Sequence, residues 1–354
     1  MLTPDERREM TQNRRIILAS RPVGMPTSAN LPIETQTLAE PAEGQILVKV
    51  IYLSLDPYMR GRMNAGRSYA ANVAEGDVMV GGAAGRVVAS KSPKFKEGDY
   101  VFGMFGWQEY YLGDAAGVRK LDPAQAPIST SLGVLGMPGM TAYVGLLDKG
   151  QPKEGETVVV SAASGAVGGV VGQIAKIKGC RAVGIAGGPE KCAYVVDELG
   201  FDACVDYKAP DFLEAFKAAV PKGVDVYFEN VGGKVADAVF SRMNDFGRVA
   251  LCGLIAHYND TGAPEGPDNL PRFMFNLLSR RLSVNGFIVS DHPDRAGDFF
   301  RDVSGWIRDG QLRYREDIVE GGLDATVEAF QGLLTGRNFG KLIVKISEDT
   351  SRAG

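Results

Sequence analysis

Cysteine and histidine are scarce in this chain, and unevenly placed. Its 354 residues hold four cysteines (Cys180, Cys192, Cys204, Cys252) and two histidines (His257, His292), and residues 1–179 hold neither type. A catalytic zinc takes three protein ligands and a structural zinc four, drawn mainly from Cys and His. The first half of the chain can supply neither thiolate nor imidazole, and no C-x-x-C pair occurs. No metal site is expected. Four thiols without paired spacing fit free cysteines in a reducing compartment.

Long apolar runs are missing too. No stretch reaches the roughly 20 residues that cross a bilayer. The start, Asp5-Glu6-Arg7-Arg8-Glu9, is charged and unlike a signal segment. Net charge is −4, so neither nucleic acid nor an anionic membrane is expected as a partner. The expected location is cytoplasmic. The length accommodates two domains with cores of their own. Glycine is the residue in excess, 45 in all, against a usual share of about 7%. It follows no period, which leaves tight turns and close backbone approaches as the explanation.

The first third reads as β structure. Candidate strands are Gln45–Leu55, Val78–Ala89 and Asp99–Leu112, separated by turns such as Lys96-Glu97-Gly98-Asp99. From about residue 130 short apolar strands alternate with helical patterns. Strands are predicted at 157–162, 182–187, 203–207, 224–229, 248–253 and 283–289. Val167, Val170, Val171, Ile174 and Ile177 recur at helical spacing. Further helices are predicted over Glu190–Leu199, Asp211–Val220, Lys234–Asn244 and Pro271–Arg281, with a loop over Thr261–Pro271. This is an α/β pattern, a doubly wound parallel sheet with right-handed crossovers beside a barrel-like β domain. The run Lys341–Ile346 is strand-like and is free to return to the first domain. The predicted domains are 1–129, completed by about 316–354, and 130–315.

The first strand of the alternating half, Thr157-Val158-Val159-Val160, runs into Ser161-Ala-Ala-Ser-Gly-Ala-Val-Gly168. A strand, a glycine turn and a helix start can hold a dinucleotide pyrophosphate. The pattern is Ala163-x-Gly165-x-x-Gly168, with alanine for the first glycine. Gly165 lets the backbone approach phosphate oxygens, and Gly168 lets the helix pack close to its strand. In NAD-binding sheets an acid about 20 residues further on takes the ribose 2′-hydroxyl. Here the second strand ends in Gly187-Gly188-Pro189-Glu190-Lys191. Two readings stand. Lys191 meets a 2′-phosphate, which favours NADP, or Lys191 is a solvated lysine and Glu190 is the ribose ligand. Without a Lewis acid, any oxyanion must be stabilised by a tyrosine or a cofactor hydroxyl.

Several segments together make the resemblance specific. They are Tyr52-Leu-Ser-Leu-Asp-Pro-Tyr-Met-Arg-Gly61, Gly136-Met-Pro-Gly-Met-Thr-Ala-Tyr143, Ala162-Ala-Ser-Gly-Ala-Val-Gly168 and Glu190-Lys-Cys192. Phe228-Glu-Asn-Val-Gly-Gly233, Cys252-Gly-Leu-Ile-Ala-His-Tyr-Asn259 and Asn338-Phe-Gly-Lys-Leu342 complete the set. Over nearly its whole length the chain resembles the zinc-free medium-chain dehydrogenases/reductases, in the prostaglandin reductase, leukotriene dehydrogenase and 2-alkenal (curcumin-type) reductase branch. The resemblance implies a GroES-like β-barrel domain, a Rossmann NADP-binding domain, an active site between them, and a homodimer. It implies that Gly165, Ala166, Val167, Gly168 and Gly169 line the pyrophosphate, and that Gly187, Lys191 and Tyr207 surround the 2′-phosphate. Asn230, Cys252, Gly253, Leu254, Ile255 and Tyr258 would line the remaining cofactor path, with Phe287, Ile288, Val289 and Asn338 near the nicotinamide.

The implied reaction is NADPH-dependent reduction of the carbon–carbon double bond of an α,β-unsaturated ketone or aldehyde. The implied partner is thus a small electrophilic alkene. Tyr258 would hydrogen-bond the enolate oxygen, and Tyr52 is a second catalytic candidate. Tyr52, Met137 and Met140 would line the substrate pocket. Plainer readings stand beside these: Tyr52 as barrel filling, the two methionines as core, Cys252 as a small buried residue, His257 as a loop residue. The alternative functions are an NADPH:quinone oxidoreductase and a non-catalytic NADPH-binding or structural protein.

Overall fold

A computed structural model describes residues 11–262 and 268–352. The chain divides into two compact units. One holds the described residues through Leu132, Asp317–Arg337 and those from Leu342 onward. The other holds Gly133–Glu316 and Asn338–Lys341.

In the first unit, β1 (Gln12–Ile16) pairs antiparallel with β2 (Ile33–Thr37). The long strand β3 (Gln45–Ser54) organises a seven-stranded sheet. After a short helix, α1 (Tyr58–Arg62), follow β4 (Ala83–Ser90), β5 (Tyr100–Gly103), β6 (Tyr110–Asp114) and β7 (Arg119–Leu121). One edge of β3 is lined by β4, with register shifts at Leu47/Val48 and Val50/Tyr52. On the other, β6 occupies residues 45–49. Such shifts bend a sheet towards a barrel. The strand predicted over Val78–Ala89 begins only at Ala83. The one over Asp99–Leu112 splits into β5 and β6, because Phe105 folds its ring back over Gly103, where a Cβ would lie 2.4 Å from it.

The second unit starts with α2 (Met137–Val144), a π-helical turn (Gly145–Gly150) and β8 (Thr157–Ser161). Next come α3 (Gly168–Ile177), β9 (Arg181–Ala186), α4 (Pro189–Asp197), β10 (Ala203–Asp206), α5 (Phe212–Ala219) and β11 (Val224–Glu229). Then α6 (Gly233–Phe240), β12 (Met243–Leu251), α7 (Leu270–Arg280), β13 (Ser283–Gly286) and α8 (Ala296–Arg308) complete it. The six strands form one parallel sheet in the order β10-β9-β8-β11-β12-β13. Strand order reverses direction between β8 and β11, the place where such sheets bind nucleotides. Every residue of β8 is buried. Val158 and Val160 join one apolar cluster and Val159 another, as a strand covered on both faces requires.

The chain then returns to the first unit through β14 (Glu316–Val319), α9 (Gly322–Leu334) and β15 (Lys341–Lys345). β15 sits between β14 and β3, with Ile343 opposite Ser54 and Lys345 opposite Tyr52. Phe330 of α9 meets Trp107 edge-on, 5.3 Å between ring centroids, in the core of this unit.

Further sequence expectations need correction. β12 begins at Met243 rather than 248, because Phe246 adopts φ +62° in a bulge that lets the strand start early. β13 ends at Gly286, not 289, and a 3-10 turn, Val289–Asp291, follows. Residues 263–267 of the loop expected over Thr261–Pro271 lie outside the described residues, and α7 begins within that range, at Leu270. Among the described residues no helix is long and apolar enough to cross a membrane.

Candidate functional site

At the end of β8 the chain turns through Ala162, held at φ +52°. The Gly165 N–H closes the turn on the Ala162 carbonyl at 3.0 Å. A Cβ on Gly168 would lie 2.3 Å from that same carbonyl oxygen, so only glycine allows α3 to start this close to its strand. Val167 occupies the N-cap position and no side chain caps the helix. A Cβ on Gly165 would meet only the Ala162 carbonyl, at 3.2 Å, so this side of the turn is open. The missing first glycine also has a structural explanation. Ala163 is fully buried, and its methyl occupies space left by Gly184 on β9, where a Cβ would approach within 2.8 Å. An open glycine turn, an uncapped helix start and the strand-order reversal together fit a diphosphate.

At the end of β9, Gly188 is at φ +104° and its N–H donates to the Asp206 carboxylate at 2.8 Å. A Cβ on Gly187 would lie 2.9 Å from the Tyr207 ring. That ring is approached by the ammonium groups of Lys208 and Lys234, 5.8 and 5.5 Å from its centroid. Lys191 is half-buried, and its ammonium donates to the Asn338 carbonyl at 2.6 Å. It is therefore not a simply solvated lysine, whereas Glu190 is exposed. The Asn338–Gly340 segment runs along the glycine turn, with the Gly340 N–H on the Ser164 carbonyl at 3.1 Å.

Glu229, the last residue of β11, was not singled out from sequence, yet it organises the facing loops. Its buried carboxylate accepts from the Ser161 hydroxyl (2.9 Å), the Tyr227 hydroxyl (2.7 Å) and the N–H groups of Val231 (2.6 Å) and Gly232 (3.1 Å). Asn230 donates its side-chain amide to the Ser161 carbonyl at 2.9 Å. The N–H groups of Cys252 and Gly253 reach the Glu229 carbonyl, and that of Ile255 reaches the Asn230 carbonyl. The carboxyl ends of β8, β11 and β12 are thus laced together. Burial, and then the Glu229 charge, push the Cys252 thiol up to about 12, which leaves it protonated and unreactive at neutral pH.

Tyr258 follows a short 3-10 turn, Ile255–His257, and its hydroxyl accepts the Leu254 N–H at 3.3 Å. His257 hydrogen-bonds Asp260 at 2.8 Å. Phe287 packs edge-on against Phe228 and covers Gly145. Ile288 and Val289 enter the turn that follows β13, their carbonyls taking the N–H groups of Asp291 and His292. Met137 stands partly exposed at the start of α2, while Met140 packs against the core cluster. Tyr52 belongs to the first unit. Only 4% of it is exposed, and its hydroxyl donates to Asp349 at 3.1 Å.

A second feature invisible to sequence periodicity borders the glycine turn. The Arg315 guanidinium lies 3.9 Å from the Phe339 ring centroid and 5.8 Å from that of Tyr194. A cavity here is lined by Gly165, Ala166, Gly169, Tyr194, Arg315 and Lys341, among others. Among the described residues no group of three or more His, Cys, Asp or Glu side chains could hold a metal ion.

Residues 14–121 match the N-terminal domain of oxidoreductase, and residues 166–304 match the zinc-binding dehydrogenase domain. The chain is 51% identical over 340 residues to the NADPH-dependent curcumin reductase of Escherichia coli, covering 96% of this chain and 98% of that protein. It is 43% identical to prostaglandin reductase 1 of Rattus norvegicus (95% and 100% covered) and 41% identical to a 2-alkenal reductase (NADP(+)-dependent) of Nicotiana tabacum (96% and 99% covered). The chain belongs to the medium-chain dehydrogenase/reductase family. Within this family it falls in the zinc-independent branch of the curcumin, prostaglandin and 2-alkenal reductases. The crystal structure of CurA from Vibrio vulnificus in complex with NADPH superimposes with a TM-score of 0.91 at 50% identity, covering 95% of this chain and 100% of that one. An E. coli quinone oxidoreductase complexed with NADPH, a more distant likeness at 20% identity and a TM-score of 0.72 (94% and 99% covered), shares the fold.

Proposed function

We propose that this protein is an NADPH-dependent reductase that saturates the carbon–carbon double bond of α,β-unsaturated ketones and aldehydes, small electrophilic alkenes. The full-length match to an NADPH-dependent curcumin reductase carries this reading. The open glycine turn at the sheet's switch point supports it.

In this reading the second unit holds the cofactor. Gly165 to Gly169 line the diphosphate at the start of α3. Lys191 and Tyr207, beside Gly187, take the 2′-phosphate, for which an ammonium is a strong charge-assisted donor. Asn230, Cys252–Ile255 and Phe287–Val289 line the path beyond the diphosphate, on the frame that Glu229 ties together. When bound, the cofactor supplies the hydride for the β-carbon. Tyr258 donates its O–H to the substrate carbonyl as negative charge builds there, and the Leu254 N–H fixes the orientation of that hydroxyl. Met137 offers an adaptable apolar wall. Tyr52 and Met140 are assigned to packing.

Purified protein with NADPH and a panel of enones, enals and quinones tests the reading, with cofactor consumption as the readout. Turnover of enones at the double bond is expected. Turnover of quinones alone, or cofactor binding with no turnover of any electron-poor alkene, overturns it.

The same reading includes a homodimer working in the reducing cytoplasm. Leu270, Met274, Phe275 and Leu278 leave an exposed apolar stripe on α7, beside the edge strand β13. Such a stripe next to an open sheet edge calls for cover, and a second copy of this chain supplies both an apolar helix and a strand edge.

A further inference from the structure

Between β13 and α8 the chain crosses residues 287–295, where the regular structure is two short 3-10 turns, Val289–Asp291 and Pro293–Arg295. No residue of this stretch is fully buried, so apolar packing alone does not fix it. Yet it carries Phe287–Val289, which the reading above sets on the cofactor path. Local turns supply part of the order. The N–H groups of Asp291, His292 and Arg295 reach the carbonyls of Ile288, Val289 and His292, each at 3.1 Å. Ile288 to Arg295 is thereby one continuous run of turns.

Both ends of the stretch are fastened to the same element, the π-helical turn Gly145–Gly150 that continues α2. Such turns are rare and gather at functional sites. At one end Phe287 lies over Gly145. A Cβ there would come within 2.4 Å of the Phe287 ring and 2.6 Å of the Phe228 ring, so only glycine admits both. At the other end the Arg295 guanidinium grips Asp148 with two hydrogen bonds, Nε to Oδ2 at 3.0 Å and Nη2 to Oδ1 at 3.1 Å. The two side chains are 25% and 26% exposed. A paired contact of this kind fixes direction as well as distance. The guanidinium also lies 5.3 Å from the ring centroid of buried Tyr143, on α2, and its Nη1 donates to Asp298, on α8. Asp148 is the carboxylate that ties it across to the π-helical turn.

We propose that Arg295, through its paired hydrogen bonds to Asp148, is a positioning residue for hydride transfer, holding Phe287–Val289 in place beside the nicotinamide. This rests on the cofactor reading above. With the tie cut, the run of turns is held at Phe287 alone and swings about it. Misplacement of reacting atoms by about 1 Å costs on the order of 100-fold in rate. The 2′-phosphate end, assigned to Lys191 and Tyr207, takes no part in the tie.

The test compares the full-length wild type with D148N, R295M, R295K and the double variant D148N/R295M. Three quantities are measured: steady-state rates with NADPH and an enone, the melting temperature, and affinity for adenosine 2′,5′-bisphosphate, which carries the 2′-phosphate but no nicotinamide. The expected result is a fall in kcat of about 10-fold in D148N and in R295M. The double variant falls no further, because both changes remove one tie. R295K, which keeps the charge without the planar fork, recovers only part of the rate. Affinity for the bisphosphate stays at the wild-type value throughout. An unchanged kcat, losses that multiply in the double variant, or bisphosphate affinity and melting temperature falling together with kcat overturns the inference while the cofactor reading stands. A wild type that neither binds NADPH nor turns over an enone removes the cofactor reading, and this inference with it.

Discussion

Tyr258 and Glu229 sit a few residues from the same turn and act differently. Tyr258 offers a hydroxyl that is oriented by the Leu254 N–H. Tyr258→Phe is expected to lower kcat by roughly 10- to 100-fold, the worth of one hydrogen bond to a charged oxygen. NADPH affinity should stay within experimental error. Steady-state rates with an enone, set beside cofactor titration, check both halves; an unchanged kcat removes Tyr258 from the chemistry. Glu229 is buried and accepts four donors. Glu229→Ala strands those donors, each orphan costing about 1–3 kcal/mol. A loss of about 3 kcal/mol or more is expected in chemical denaturation, with NADPH binding falling in parallel because the Asn230–Gly232 loop loses its anchor. These two variants separate chemistry from scaffolding within one loop cluster.

Among the elements, α7 and its neighbour β13 stand apart, since they leave apolar side chains uncovered. Leu278, 77% exposed, carries little of the fold of its own unit. Leu278→Asp is expected to give a folded monomer, with light scattering reporting half the wild-type mass and circular dichroism unchanged. A wild type that is itself monomeric overturns the dimer. The elements were unequally legible in the sequence. The central parallel strands stand out because strands buried on both faces must be nearly all apolar, as in Val158-Val159-Val160. The helix α2 does not, because Pro138 and Gly139 argue against helix. Yet a Cβ at Gly139 would lie 1.9 Å from the Val134 carbonyl, so the packing demands that glycine and overrides propensity. The glycine turn and Lys191 were readable at the site because they follow strand ends at fixed offsets. The Glu229 network and the Arg315–Phe339 stack were not, since no periodicity encodes which distant backbone groups a side chain will reach.

For the whole molecule, the order of segments along the chain governs more than the contacts within them. The first unit draws on three stretches of sequence, and the second is built almost wholly from the stretch between them. Within the first unit's sheet, β15 is an interior strand, hydrogen-bonded to β3 on one side and neighbouring β14 on the other. A chain cut after Gly340 is therefore expected to aggregate, because the partner edge of β3 at Tyr52–Ser54 stays bare. Sedimentation and thioflavin binding of the truncated chain, against one cut after Ser347, check this. The same geometry sets a timetable during translation. All six parallel strands clear the ribosome before Leu342 is made, so the second unit can condense while the first still waits with an unfilled slot. The earliest-made part of the protein is thus among the last to be finished, and during that wait a chaperone, or another nascent copy, competes for the place that β15 will take.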